Sequence, residues 1–299
     1  RQADQAMYQA KLAGKNRYHI FDADQDSHLR HQHEALERIR QALAHDELVL
    51  YYQPKVNMRS GKVIGAEALI RWQHPEQGLL APSAFLPLIE NHPLAVAVGE
   101  WVINTALTQM EHWHAAGLDL PVSVNIGARQ LQQGNFVPQL RAILAAHPHL
   151  QPDWLELEVL ETSALADMAQ VSQVIEDCAQ FGVKFALDDF GTGYSSLIYL
   201  KRLQVTSLKI DQSFVREMLD DADDLAILHG VIGLASAFRC QVIAEGVETV
   251  AHGTLLLQMG CELAQGYGIA RPMPAECLPA WVATWPSNAE WRALAQSGR

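Results

Sequence analysis

Cysteine is scarce in this chain. Cys178, Cys240, Cys261 and Cys277 are spread over 299 positions and none forms a CxxC pair, which excludes a thiolate zinc or redox centre of recognisable spacing. They read as buried free thiols of a reducing compartment. Basic charge is also short, with 22 Lys+Arg against 34 Asp+Glu and a formal charge of −12. That balance argues against duplex nucleic acid as a partner, because phosphate binding is driven by a cationic face that releases counterions. No run is long enough for a membrane span: Leu225 to Phe238 reaches about two thirds of the roughly 20 residues required, and His229 interrupts it. No basic-then-apolar leader follows Arg1, so no secretory signal is expected. The 13 histidines contain no HExxH and read as solvated or capping side chains, and no GxGxxG follows any candidate strand. What is present is 49% apolar residue, in a chain able to bury roughly three quarters of its unfolded surface in one large domain or two smaller ones.

Residues 1–22 read as a helix ended by Gly14 and Asn16, then a short strand at Tyr18 to Phe21. One helix and one strand cannot bury a core, so this piece is expected to close a domain whose body lies upstream. Residues 23–46 are expected to form a linker helix with Leu29, Leu36, Ile39 and Leu43 on one stripe. Such a helix either pairs with a copy of itself or packs on its own domain, and four apolar positions leave both open. A single domain is expected over 47–288 and a C-terminal tail over 289–299. Within that domain, short β-rich runs alternate with helical stretches such as Val98 to Ala116 and Leu225 to Phe238. The strand candidates are Leu48–Gln53, Val63–Ile70, Pro121–Ile126, Trp154–Leu160, Val183–Leu187, Ser207–Ile210 and Gln241–Ala244. Repeated β-then-α units predict a parallel sheet, while MRSGK joins the first two strands as an antiparallel hairpin. A TIM-like (β/α)8 barrel with one antiparallel strand is therefore expected over an open doubly wound sheet.

The polar residues ending these strands carry the chemistry. They are Glu67, Asn125, Glu158, Asp188 with Asp189, Lys209, Glu245 and Gln265. In a barrel, strand ends converge on one face, where sites of this fold lie. Five close carboxylates repel one another unless cations neutralise them, and oxygen ligands suit hard divalent ions such as Mg²⁺ or Mn²⁺. The adjacent Asp188 and Asp189 favour two metals. Lys209 is placed to orient a water or take its proton, and Arg71, four residues after Glu67, to grip a phosphate bidentately. Gln53, Asp211 and Tyr267 are weaker ligand contacts; Asp211 reads equally as a helix N-cap. Glu156 shares the strand parity of Glu158 and is expected to face the barrel interior.

EALIRW at 67–72 after YYQPKV, with SVNIGARQ, LELEVLETS, DDFGTGYSSL, SLKIDQSFV, VIAEGVET and QGYGIARPMP, resembles the EAL domain of cyclic di-GMP phosphodiesterases. The words AMYQAK and GKNRY in residues 1–22 resemble the end of a GGDEF diguanylate cyclase domain; the string GGDEF is absent, so no cyclase activity is assigned. The EAL resemblance implies metal-dependent hydrolysis of cyclic di-GMP to linear pGpG. It implies one metal on Glu67, Asn125, Glu158 and Asp188, and a second sharing Asp188 and using Asp189, with Glu245 near by. Lys209 would touch the nucleophilic water, Gln265 the water and metal shell, and Glu161 would anchor the DDFG loop. Leu160 stands where the family usually has Thr, which puts local loop packing in doubt more than metal binding. Ca²⁺, which prefers more ligands at longer distances, is expected to inhibit. The resemblance also implies a cytoplasmic bacterial module, a membrane tether through upstream domains remaining open, and a homodimer formed beside the DDFG loop through Tyr194, Leu197, Ile198, Tyr199 and Leu200. The competing reading is a catalytically silent EAL domain that binds cyclic di-GMP as a regulatory module. A metal-dependent barrel acting on a small phosphorylated metabolite is a third.

Overall fold

In the computed structural model, residues 23–192, 197–286 and 288–297 are described. The expected GGDEF remnant at 1–22 and Tyr194 lie outside them. The strands are β1 (Leu48–Asn57), β2 (Lys62–His74), β3 (Gly78–Leu80), β4 (Val122–Ile126), β5 (Leu155–Leu160), β6 (Lys184–Phe190), β7 (Ser207–Ile210), β8 (Gln241–Ala244), β9 (Leu263–Ala264) and β10 (Met273–Pro274). Neighbours run β1-β9-β8-β7-β6-β5-β4-β2, and β1 pairs back to β2, so eight strands close into a barrel. Strand β1 is antiparallel to both β2 and β9, and every other barrel pairing is parallel. The TIM-like barrel with one reversed strand is thus the observed fold.

All seven strand candidates are found, and the hairpin strands run longer than expected, β1 on to Asn57 and β2 from Lys62 to His74. The barrel's eighth strand, β9, escaped the sequence because two residues, Leu263 and Ala264, carry no period. Strand β5 shows how one sequence serves two environments. Leu155, Leu157 and Val159 join the apolar core, while Glu156 and Glu158 occupy the alternate positions. Helix Leu94–Ala115 buries Val98, Val102, Ala106 and Trp113 at helical spacing, and helix Ala222–Phe238 starts on an Asp221 side chain that accepts from Asp223 N.

Helix Ala23–Ala44 spans the expected linker. Its second half packs on this domain: Ile39 and Ala42 are fully buried, and Arg38 meets Glu47 at 2.6 Å while Glu47 accepts from Trp72 Nε1 at 2.9 Å. At the other end, the expected tail contains helix Ala289–Ser297. Trp291 is buried there and donates from Nε1 to the Val250 carbonyl at 3.0 Å.

Candidate active site

The parallel strands end together at one mouth of the barrel and bring the sequence-selected carboxylates onto a single lysine. Lys209 Nζ lies 2.5 Å from Glu158 Oε2, 2.7 Å from Glu245 Oε1, 3.1 Å from Asp188 Oδ1 and 3.4 Å from Glu67 Oε2. Glu67 also accepts from Asn125 Nδ2 at 2.7 Å and from Gln265 Nε2 at 2.7 Å. Gln265 donates on to Gln53, whose own amide donates to the Ala270 carbonyl at 2.9 Å. Glu67, Asn125, Glu158, Asp188, Lys209, Glu245, Gln265 and Gln53 therefore form one connected cluster, one residue from each of the eight barrel strands or the position just after it.

Asp189 joins it through a backbone irregularity. Successive strand residues normally point to opposite faces, so adjacent aspartates would be separated. The β6–β7 register breaks between Leu187 and Phe190, and Asp189 has φ +53°, a left-handed conformation that Asp tolerates better than most residues. As a result Asp188, Asp189 and Glu245 each offer an oxygen within 4.8 Å of the others. The turn that follows is fixed by Glu161, whose Oε2 accepts from Gly191 N at 3.0 Å. Gly191 sits at φ +105°, and a Cβ there would lie 2.9 Å from the Phe214 ring, so only glycine fits. Leu160 forms the N-cap of helix Glu161–Ala166 and supplies no side-chain cap; it is 39% exposed.

One ammonium cannot balance five carboxylates, and the protonation equilibria register this. Burial, with Asp188 and Glu67 beside it, pushes Glu245 up to about 8 against the pull of Lys209. Burial, Asp188 and Asp211 push Asp189 up to about 6. Glu158 and Asp188 are raised too, burial being the first cause in each. Burial alone would lower Lys209, but Glu158, Glu245, Glu67 and Asp188 outweigh it and hold the ammonium well above its usual range. Among these carboxylates, with no cation beside it, Lys209 holds its proton.

At the rim, Arg71 donates to the Ile70 carbonyl at 2.8 Å, with its guanidinium over Tyr51. Tyr267 is 49% exposed and lies under Arg271, 4.3 Å from guanidinium to ring. Asp211 caps helix Gln212–Glu217, accepting from Ser213 N at 2.9 Å, and also approaches Asp189. The N-cap reading of Asp211 thus describes its position. The His-x-His triplets at 31–33, 112–114 and 147–149 join no three-residue group of ligand atoms among the described residues. The sequence reading missed Lys55. It is buried, and its Nζ donates to Ser123 Oγ, to Glu156 Oε2 at 2.9 Å and to Glu158 Oε1 at 3.5 Å. Its signal was available, since it follows Gln53 at the same strand parity in YYQPKV.

The fit to divalent cations is favourable on the donor set alone: carboxylate and amide oxygens, too few ammonium groups to neutralise them, and a buried Gln265 Oε1 without a hydrogen-bond partner. An α/β barrel with an oxygen-ligand cluster at the carboxyl ends of its strands is the class this geometry defines. Residues 36–272 match the EAL domain, and the chain belongs to that family. It is similar to the bifunctional diguanylate cyclase/cyclic di-GMP phosphodiesterase MucR of Pseudomonas aeruginosa, 44% identical over 282 residues, 94% of this chain and 41% of that protein. It is also similar to the cyclic di-GMP phosphodiesterase PdeR of Escherichia coli, 36% identical over 281 residues, 94% of this chain and 42% of that protein. The chain thus spans less than half the length of these curated relatives. A solved structure described as the PaMucR phosphodiesterase in complex with c-di-GMP superposes with a TM-score of 0.79 at 44% identity, covering 82% of this chain and 99% of that one.

Proposed function

We propose that this domain hydrolyses cyclic di-GMP to linear pGpG with Mg²⁺ or Mn²⁺. The observation that carries the reading is the convergence of five carboxylates, one amide and one lysine at the barrel mouth, in a chain of the EAL family. Glu67, Asn125, Glu158 and Asp188 would hold one ion; Asp188 and Asp189 would hold a second, with Glu245 beside it. Such ions supply Lewis-acid polarisation of water and of the phosphate oxygens.

The remaining roles follow from the chain's own groups. Once its carboxylate partners are engaged elsewhere, Lys209 faces the attacking water, to fix its direction or take its proton. Gln265, already between Gln53 and Glu67, contacts the same water. Arg71 donates to a phosphate or guanine edge, Tyr267 offers a face for a base, and Gln53 and Asp211 offer polar contacts. Glu161 holds the DDFG turn through Gly191 and so keeps Asp188 and Asp189 convergent. We further propose a cytoplasmic setting downstream of a GGDEF domain and a homodimer formed beside the DDFG loop. Light scattering at micromolar concentration checks the dimer, and a monomer mass refutes it.

Incubation with Mg²⁺ and cyclic di-GMP followed by chromatography tests the activity. Accumulation of pGpG, abolished by EDTA, is expected. Binding without product refutes the enzyme and leaves a silent regulatory module.

A further inference from the structure

One strand step below the ligand cluster the barrel interior is polar again. Lys55, Ser123, Glu156 and Ser207 occupy places that branched apolar side chains fill in most such barrels. Ser123 lies two residues before Asn125, Glu156 before Glu158 and Ser207 before Lys209; Lys55 follows Gln53 because β1 runs the other way. Both oxygens of Glu156 are held, Oε1 accepting from Ser207 Oγ at 2.6 Å and Oε2 from Ser123 Oγ at 2.7 Å and Lys55 at 2.9 Å. The lysine stem passes where its β2 neighbour is Gly65. A Cβ there would lie 3.6 Å from Lys55 Cε and 2.9 Å from the Pro121 carbonyl oxygen. This lower layer is balanced, one ammonium to one carboxylate, and needs no further cation, unlike the layer above it.

Glu158 is the link between the two layers. Its Oε1 faces Lys55 at 3.5 Å and its Oε2 faces the mouth. We infer that Lys55, seated on Glu156 and Ser123, is a positioning residue that fixes Glu158 Oε1 from below and so presents Oε2 to a divalent cation. The inference rests on the proposed role of Glu158 as a ligand. Two effects of removing Lys55 oppose each other. Loss of a nearby positive charge would tighten cation binding by Coulomb attraction alone, whereas loss of orientation would weaken it, by about 10- to 100-fold where such supporting contacts are deleted. The sign of the change therefore separates positioning from bulk electrostatics.

The test is Mn²⁺ affinity of the substrate-free protein, read from the electron paramagnetic resonance of unbound Mn²⁺, with melting temperature in parallel. The set is the parent, Glu158→Gln, Lys55→Met and the charge-neutral pair Lys55→Met with Glu156→Gln. Both Lys55 variants are expected to bind Mn²⁺ at least about tenfold more weakly, with the pair melting close to the parent. Unchanged or tighter binding in a cooperatively folded Lys55 variant, while Glu158→Gln weakens it, overturns the inference alone. Undiminished binding in Glu158→Gln overturns the ligand assignment beneath it. Should neither Lys55 variant fold, Ser207→Ala deletes one hydrogen bond to Glu156 and keeps both charges. A roughly threefold weakening is then expected, and no change overturns the inference.

Discussion

Replacing Glu245 by Gln should stabilise the metal-free protein and weaken the metal-loaded one. A carboxyl whose native pKa lies above its unfolded value holds its proton more tightly when folded. Its contribution is present below the unfolded value and is lost as pH rises through the native one. For Glu245 that window runs from the ordinary 4.5 to about 8. At pH 7 the native state has lost, through this one group, roughly 3 kcal/mol relative to a neutral isostere, and at pH 5 less than about 1 kcal/mol. Gln cannot ionise, and it leaves Lys209 three carboxylate partners. In EDTA the variant should therefore melt about as the parent does at pH 5 and roughly 5–10 °C higher at pH 7. In excess Mg²⁺ the order should reverse, because the parent gains binding energy through a carboxylate that the variant lacks. Differential scanning fluorimetry across pH 5–8, with and without Mg²⁺, measures both. A variant less stable than the parent in EDTA at pH 7 would refute the claim that surplus buried negative charge, rather than the Lys209 ion pair, governs this cluster.

Glu158→Gln should reduce pGpG formation more than tenfold with loss of Mn²⁺ affinity, whereas Lys209→Ala should lower kcat while Mn²⁺ still binds; equal loss of affinity in both would show the roles wrongly divided. Ca²⁺ titrated at constant Mg²⁺ should depress turnover, reversibly by excess Mg²⁺, since its longer bonds and higher coordination number displace the attacking water; full activity in Ca²⁺ alone contradicts this. Leu160→Thr should add about 1 kcal/mol in chemical denaturation by supplying the missing N-cap of helix Glu161–Ala166, and no gain in midpoint would show that the cap is not formed. Trp291→Ala should cost about 3–5 kcal/mol in the same assay, and a loss under 1 kcal/mol would mean that the final helix is dispensable.

The sequence by itself determined the barrel and which strand-end polar residues meet at its mouth. Strand parity is a local property, so Glu67, Asn125, Glu158, Lys209 and Glu245 were legible as strand-end polar residues, and closure of the sheet brings such ends together whatever the details. Tertiary structure decided what depends on register and close approach. The two-residue strand β9 exists only because β1 and β8 offer edges on either side. Asp189 reaches the ligand cluster only because of a broken β6–β7 register and a left-handed φ, which no alternation pattern encodes. Lys55 passed unnoticed in YYQPKV, because its partners exist only once the barrel closes over it opposite Gly65 and leaves Glu156 and Glu158 beside it. The raised pKa of Lys209 in the metal-free cluster has the same origin. Its direction is set by how many carboxylates surround one ammonium at 2.5 to 3.4 Å, a through-space sum over residues far apart in sequence.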